Sequence, residues 1–255
     1  MGNTTGLRHL NHKIIKLLDR DTLSIPLLAQ SELDLIAKIY KNSRRIGDIG
    51  HCYTGEVDLT LSKRFLSDNK NDTILLKGAI LGKYVIRDKM SQGDIKYLKE
   101  KEFLKKMGGK AAESFKKERI ALQGITGVNE YTRLKMTLVP KDLFLANSAN
   151  YIILNESSID NKFVLGVLNS SLLNYIFKKF STNSNVNGYE VDNLPIPNSI
   201  STEEQSNIVD IVIRILSLKK KNPTADTDKL EREIDLLVYK LYGLTDEEVN
   251  IVEGK

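Results

Sequence analysis

From Asp160 to Phe180 the chain is apolar nearly all the way round a helix, with Phe163, Val164, Val167, Leu168, Leu172, Ile176 and Phe177 among its members. A helix without a polar face has no side to turn to water, so this pattern belongs to a buried helix. The rest of the chain must supply layers that enclose it. Strand candidates precede it at Thr73 to Leu81, Lys83 to Arg87, Arg119 to Ile125, Leu134 to Val139 and Tyr151 to Leu154, where β-branched and aliphatic residues cluster. An Asn- and Ser-rich loop follows over 181–188, then Leu194-Pro-Ile-Pro197, which its two prolines hold extended. The expected class is α+β: a twisted mixed or antiparallel sheet with flanking helices and a C-terminal helical hairpin.

The remaining segments divide into readable pieces. Residues 7–45 read mainly as helix, with Leu10, Ile14, Leu17 and Leu18 in one stripe, Leu33, Ile36, Ala37 and Tyr40 in a second, and Pro26 between them. Glycines at 47, 50 and 55 mark a turn-rich stretch. Residues 96–119 hold nine Lys or Arg and four Glu around Gly108 and Gly109. They read as a solvated connector, with a flexible phosphate-contacting arm as the alternative. In the last 55 residues, Ser201 with Glu204 and Thr245 with Glu248 match the capping box. Ile208, Ile211, Val212 and Ile215 form one stripe there, and Leu230, Ile234, Leu237, Val238 and Leu241 another, closed by Gly243. Three parts result: an N-terminal helical segment over 1–45, a domain over 46–200, and a helical region over 201–255 that packs on it or on a partner.

Charge separates the parts further. The net +5, from 38 basic and 33 acidic side chains, splits into +9 over residues 1–120, zero over 121–200 and −4 over 201–255. A polyanion partner suits the basic half, since Lys and Arg that neutralise phosphates release condensed counterions. The acidic amphipathic helices at the end suit protein docking better. A composition 41% hydrophobic and 28% charged excludes a wholly disordered, collagen-like or disulfide-rich chain. No apolar run approaches the roughly 18 residues that span a bilayer, and the N-terminus lacks a signal peptide's apolar core, so the expected location is the cytoplasm, with no membrane partner. Cys52 stands alone, which rules out an internal disulfide or a thiolate-rich zinc site.

A search for catalytic chemistry returns mostly negatives. There is no glycine-rich phosphate loop, dinucleotide fingerprint or Asn-Pro-Pro-Tyr type motif, and no strand ends in spaced glycines that would seat S-adenosylmethionine. His9 and His12 lie three apart without a carboxylate or Cys to complete four ligands. Glu56, Asp58 and Lys63 resemble the parts of a metal-dependent nuclease, but nothing in their spacing makes them converge. Nucleic-acid contacts fare better. Arg119, Gln123, Thr126, Asn129, Arg133 and Lys135 combine phosphate ligands with groups that read base edges. The same residues also suit the polar outer face of a strand. Lys178 and Lys179, at a helix C-terminus, complement the helix dipole.

The order of motifs then becomes informative. GEVDLTLSK (55–63), ILLKGAILGKYVI (74–86), ERIALQGITG (118–127), LGVLNSSLLNYIFKKFSTN (165–183), LPIP (194–197) and EIDLLVYKLYGLTDEEVNIVEG (233–254) together resemble the TaqI-like C-terminal specificity domain. This is the target recognition domain of type II restriction-modification enzymes and adenine-specific DNA methyltransferases. The resemblance covers roughly residues 40–254 and implies sequence-specific recognition of double-stranded DNA by a chain that is not catalytic alone. Its implied partner is a methyltransferase or endonuclease catalytic domain or subunit. Cofactors are expected to be none in this chain, with S-adenosylmethionine and Mg²⁺ in the catalytic domains it serves. A separate specificity subunit of a multisubunit system is one alternative, and a protein-interaction module without DNA binding is another. The candidate DNA contacts, chosen for chemistry and position, are Lys77, Lys83, Tyr84, Arg87, Arg119, Gln123, Arg133, Lys135 and Asn183.

Overall fold

The structure, a computed structural model, describes residues 28–87, 96–107 and 109–255. The apolar stripe through Leu10 to Leu18 and the His9, His12 pair lie outside these residues.

Helix α1 (Gln30–Lys41) buries Leu33, Ile36 and Tyr40, and the Glu32 carboxylate accepts the Ala29 amide at 2.8 Å to close its first turn. It leads into strand β1 (Ser43–Arg45), the short helix α2 (Ile46–Ile49) and strand β2 (Gly50–Thr54). The glycines expected to mark turns here flank a strand instead. A Cβ on Gly50 would stand 2.5 Å from the Ile153 carbonyl oxygen and one on Gly55 2.1 Å from that of Ala146, so both glycines are needed for close backbone approach.

Next come β3 (Leu66–Ser67), β4 (Thr73–Leu76), β5 (Leu81–Gly82), β6 (Val85–Ile86) and β7 (Lys96–Leu98), then helices α3 (Glu100–Met107) and α4 (Lys110–Phe115). The apolar run from Thr73 is broken by a helical turn at Gly78–Ile80. Residues 96–119 are not a solvated connector. Leu98 and Phe103 are fully enclosed and Phe115 nearly so, in a core shared with Phe65, Leu75 and Phe144. Phe115 stacks on Phe144 at 4.3 Å, while Lys101, Glu102, Lys105 and Lys106 face solvent. Three aromatic rings decide this segment against its nine cations.

The central sheet adds β8 (Arg119–Gln123), β9 (Met136–Val139) and β11 (Ala149–Leu154), with β10 (Phe144–Leu145) between the last two in sequence. Its order is β2-β11-β8-β9, antiparallel throughout. A second sheet, β10-β4-β7-β3, is mixed, because β10 pairs with β4 in parallel. Both faces of the central sheet are covered. Ile120, Leu122, Met136 and Ile152 face the large helical core, while Ala121, Val139, Ala149 and Tyr151 meet Leu76, Ile80 and Leu81.

The apolar stretch at 160–180 is two helices, α5 (Asn161–Leu168) and α6 (Ser171–Phe180). Asn169 breaks it for a polar reason: its side-chain amide accepts from the Met136 amide at 3.0 Å and donates to the Met136 carbonyl at 2.9 Å, acting as a short partner strand to β9. Ser170 then caps α6. After α7 (Gly188–Asp192), the LPIP segment forms β12 (Pro195–Pro197), paired with β1 in a two-stranded ribbon where prolines cost few ladder bonds.

Helices α8 (Thr202–Lys221), α9 (Asp228–Leu241) and α10 (Asp246–Glu253) complete the enclosure, with the expected capping boxes at Ser201 and Thr245. Helix α8 lies so close to α5 that a Cβ on Gly166 would stand 2.6 Å from Ile208 Cγ2. The acidic end docks on the basic front of its own chain: Lys38 pairs with Glu248 and Lys83 with Glu231, each at 2.6 Å. Among the described residues no helix is long and apolar enough to cross a membrane.

Arg119 and Glu56 form an ion pair inside the second face of the central sheet, both almost fully enclosed. Glu56 also accepts the Leu145 amide at 2.9 Å, and Arg119 donates to the Leu143 carbonyl at 2.6 Å. Burial pushes the Glu56 carboxyl up against the pull of Arg119, and burial pushes the guanidinium down. Desolvation thus outweighs what the attraction returns for both groups. Arg119→Met should cost about 3–5 kcal/mol in urea unfolding, because it strands a buried carboxyl. The double variant Glu56→Gln/Arg119→Met should recover more than half of that loss; equal losses in both would show that the pair itself is the stabilising element.

Candidate nucleic-acid interface

At one end of the central sheet the registers bring Thr54 opposite Asn150, Gln123 opposite Ala149, and Leu122 opposite Met136. Three connections leave the sheet at that end: 55–62 after β2, 124–135 between β8 and β9, and 146–148 before β11. Two more segments join them. The Gly78 amide donates to Ser148 Oγ at 3.0 Å, and a Cβ on Gly78 would fall 2.0 Å from the Ser148 carbonyl oxygen. The 181–187 loop lies against 124–126, with the Thr126 amide donating to the Ser184 carbonyl at 2.8 Å and the Val186 amide to the Gly124 carbonyl at 2.9 Å.

The loops are pinned rather than loose. Arg133, only 1% exposed, sits between them. Its Nε donates to Thr126 Oγ1 at 3.3 Å, Nη1 to the Ser181 carbonyl and hydroxyl at 3.1 and 3.0 Å, and Nη2 to the Asn183 carbonyl at 2.6 Å. The guanidinium also lies 5.1 Å from the Phe177 ring centre. From α6, Asn174 holds the far side of the 124–135 loop. Its Oδ1 accepts the Arg133 amide at 2.8 Å and its Nδ2 donates to the Tyr131 carbonyl at 2.9 Å. In the 55–62 connection, Asp58 accepts the Thr60 and Leu61 amides and the Asn147 side chain, bonds that hold its carboxyl below the usual range. With Glu56 committed to Arg119 and Asp58 to a turn, the nuclease-like constellation is structural. Among the described residues no three His, Cys, Asp or Glu side chains gather as a metal site. Burial also pushes the Cys52 thiol up, away from reactivity.

The nine candidate contacts separate sharply in this geometry. Three are corrected. Tyr84 is 2% exposed, with its hydroxyl near Asn169 and its amide on the Met136 carbonyl. Arg119 is enclosed with Glu56, and Arg133 is the loop clamp, so none of the three has a surface to offer DNA. Lys83 and Lys135 are part-exposed but engaged, with Glu231 at 2.6 Å and Glu130 at 2.8 Å. Gln123 donates to the Leu81 carbonyl at 2.6 Å. Lys77, beside the Gly78 turn, and exposed Arg87 and Asn183 remain at the surface. Sequence reasoning missed exposed Ile125, Val128 and Tyr131 on the 124–135 loop, although glycines at 124 and 127 bracketing apolar residues could have marked a presented loop.

A scaffold that gathers pinned, amide-rich loops at one end of a doubly covered sheet defines a recognition module. Residues 73–196 match the TaqI-like C-terminal specificity domain. Among solved structures, 83% of the chain aligns with 36% of the type IIL restriction-modification enzyme MmeI, determined in complex with DNA, at 11% identity and a TM-score of 0.57. The same share aligns with 32% of the type IIG restriction endonuclease BpuSI at 13% identity and a TM-score of 0.50. An alignment with half of the HsdS subunit from Thermoanaerobacter tengcongensis, at 11% identity, reaches only 0.36 and carries no weight. The first two likenesses establish the fold, and the chain spans about a third of each of those enzymes. No curated protein matches the chain.

Removing the clamp tests the pinning. Arg133→Met leaves the Ser181 and Asn183 carbonyls short of donors, at a cost of about 1–3 kcal/mol for such unsatisfied buried groups. Hydrogen exchange at the Thr126 and Val186 amides should accelerate more than at Ile120 in the sheet. Uniform acceleration would mean that Arg133 supports the whole fold rather than the loops.

Proposed function

We propose that the chain is a sequence-specific recognition domain for double-stranded DNA, non-catalytic by itself, acting in the cytoplasm for an adenine-specific DNA methyltransferase or restriction endonuclease. The observation that carries this reading is the convergence of five segments at one end of the central sheet, with their backbones fixed by Arg133, Asn174 and Ser148. Base readout needs side chains presented on a scaffold that does not yield, and phosphate contacts need cations around it. Lys77 and Arg87 are assigned to phosphates, and Asn129, Asn183 and Asn185, exposed on the two facing loops, to base edges. Residues 46–200 carry this surface and 201–255 support it. The catalytic domain or subunit supplies S-adenosylmethionine and Mg²⁺ chemistry, and none of it is routed through residues here. The specificity-domain match over 73–196 supports the assignment.

The test is binding of the chain to mixed-sequence duplexes by fluorescence anisotropy across a salt series. With Lys77 and Arg87 each neutralising one phosphate, affinity should fall about tenfold or more between 50 and 200 mM salt. Binding that is absent at 50 mM, or indifferent to salt, would sink the reading and leave a protein-interaction module.

A further inference from the structure

Tyr131 is the most exposed large hydrophobic residue of the described chain, at 85%. Its backbone is nevertheless held firmly: its carbonyl accepts from Asn174 Nδ2 at 2.9 Å, and two residues later Arg133 is clamped inside the fold. An aromatic ring pushed into water on a fixed backbone gains nothing for folding, but loses little entropy when a ligand covers it. Beside it stands Lys178, exposed on the last turn of α6, with its ammonium 5.8 Å from the ring centre and 3.5 Å from the Tyr131 carbonyl.

The helix-dipole explanation for the two lysines distinguishes them poorly, and their partners do so well. Lys179 pairs with Glu32 at 2.5 Å and lies over the Tyr175 ring, whereas Lys178 has no carboxylate within 4 Å among the described residues. The pair lines an open groove of about 760 Å³ together with Asn169, Ser171 and Asn174. The rest of the groove mixes charge-paired side chains, Arg232 and Lys255 both on Glu253, with the apolar Ile251 and Val252. An exposed ring next to an exposed cation that no carboxylate neutralises fits a sugar-phosphate strand.

We propose that Tyr131 and Lys178 form a DNA-backbone contact, in which Lys178 takes a phosphate and the Tyr131 ring packs on the adjoining deoxyribose and base edge. This rests on the DNA-recognition reading and adds a site at the α6 side of the loop cluster.

The experiment measures the affinity of the whole chain for a pool of random-sequence 30-base-pair duplexes against salt. Four proteins are compared: the unmodified chain, Tyr131→Ala, Lys178→Gln and Lys221→Gln. The last removes an equal charge from an exposed lysine at the far end of α8. Thermal unfolding should be unchanged in all three variants. Lys178→Gln should lower the slope of log affinity against log salt by about 0.9, the share of one phosphate, while Lys221→Gln leaves it unchanged. Tyr131→Ala should weaken binding about fivefold or more at every salt concentration, with the slope retained. If the unmodified chain binds and Lys178→Gln and Tyr131→Ala both behave like Lys221→Gln, the contact is overturned and DNA recognition stands. If the unmodified chain does not bind the pool at all, the recognition reading falls and this contact falls with it.

Discussion

Helix Asn161–Leu168 is buried from Phe163 to Leu168 and Ser171–Phe180 buries one face through Leu172, Leu173, Ile176 and Phe177, and the molecule is arranged around hiding these side chains. The central sheet closes one side through Ile120, Leu122, Met136 and Ile152; α1 closes another through Leu33 and Ile36; α8 and α9 close the rest through Ile208, Val212, Ile234 and Val238. Segments more than 170 residues apart in sequence therefore share one core, as Leu33 and Ile208 do. The few polar groups in the helix pair are placed where they do structural work at its margins. Asn169 mates with the end of β9, Asn174 grips the 131–134 backbone, and Ser181 receives Arg133. The recognition loops are in this sense outgrowths of the buried helices, and inherit their rigidity from them.

Two enclosed arginines show different solutions to the same electrostatic problem. Arg119 meets a carboxylate directly, so charge is matched by charge within the sheet. Arg133 is surrounded by neutral oxygens from Thr126, Ser181 and Asn183 and by the Phe177 ring, with Glu190 acting only at longer range. Burial lowers its pKa, yet a guanidinium stays charged through any such shift. The cation's five donors are what order the two loops: they draw the carbonyls of 181 and 183 inward, while the Asn183 side chain stays exposed. A lysine there would offer a point charge and could not span three segments with one planar group.

Patterns that depend on burial of whole segments were legible in the sequence. The apolar helices, the strand cores at 119–123, 136–139 and 149–154, the LPIP extension and both capping boxes all follow from local residue order. The β2 strand was hidden because Gly50 and Gly55 signal turns locally, and only the facing backbone of 146 and 153 explains them. The fate of individual cations was harder to see. A basic side chain looks the same in sequence whether it faces solvent, a carboxylate or a carbonyl cage. One signal was available: Arg119-Ile-Ala-Leu reads as a strand apolar on both faces, so its arginine had to lie within a covered sheet. Arg133 carried no such signal, since its partners come from positions 48 and 50 residues away.

The charge asymmetry along the chain accordingly means something different from a simple division into a DNA-facing front and a protein-facing end. Part of the basic excess is spent on the acidic helices themselves, through Lys38 with Glu248 and Lys83 with Glu231, which tie the two ends of the sequence into one body. Exposed pairs of this kind contribute little stability one at a time, about 0–1 kcal/mol. Their larger effect is subtractive: each neutralised lysine is withdrawn from the field a polyanion would meet. What guides such a ligand is the set of cations left over, and Lys77, Arg87 and Lys178 lie on or beside the pinned loops. Net charge therefore locates the surface poorly, and the placement of these cations beside the pinned loops locates it well.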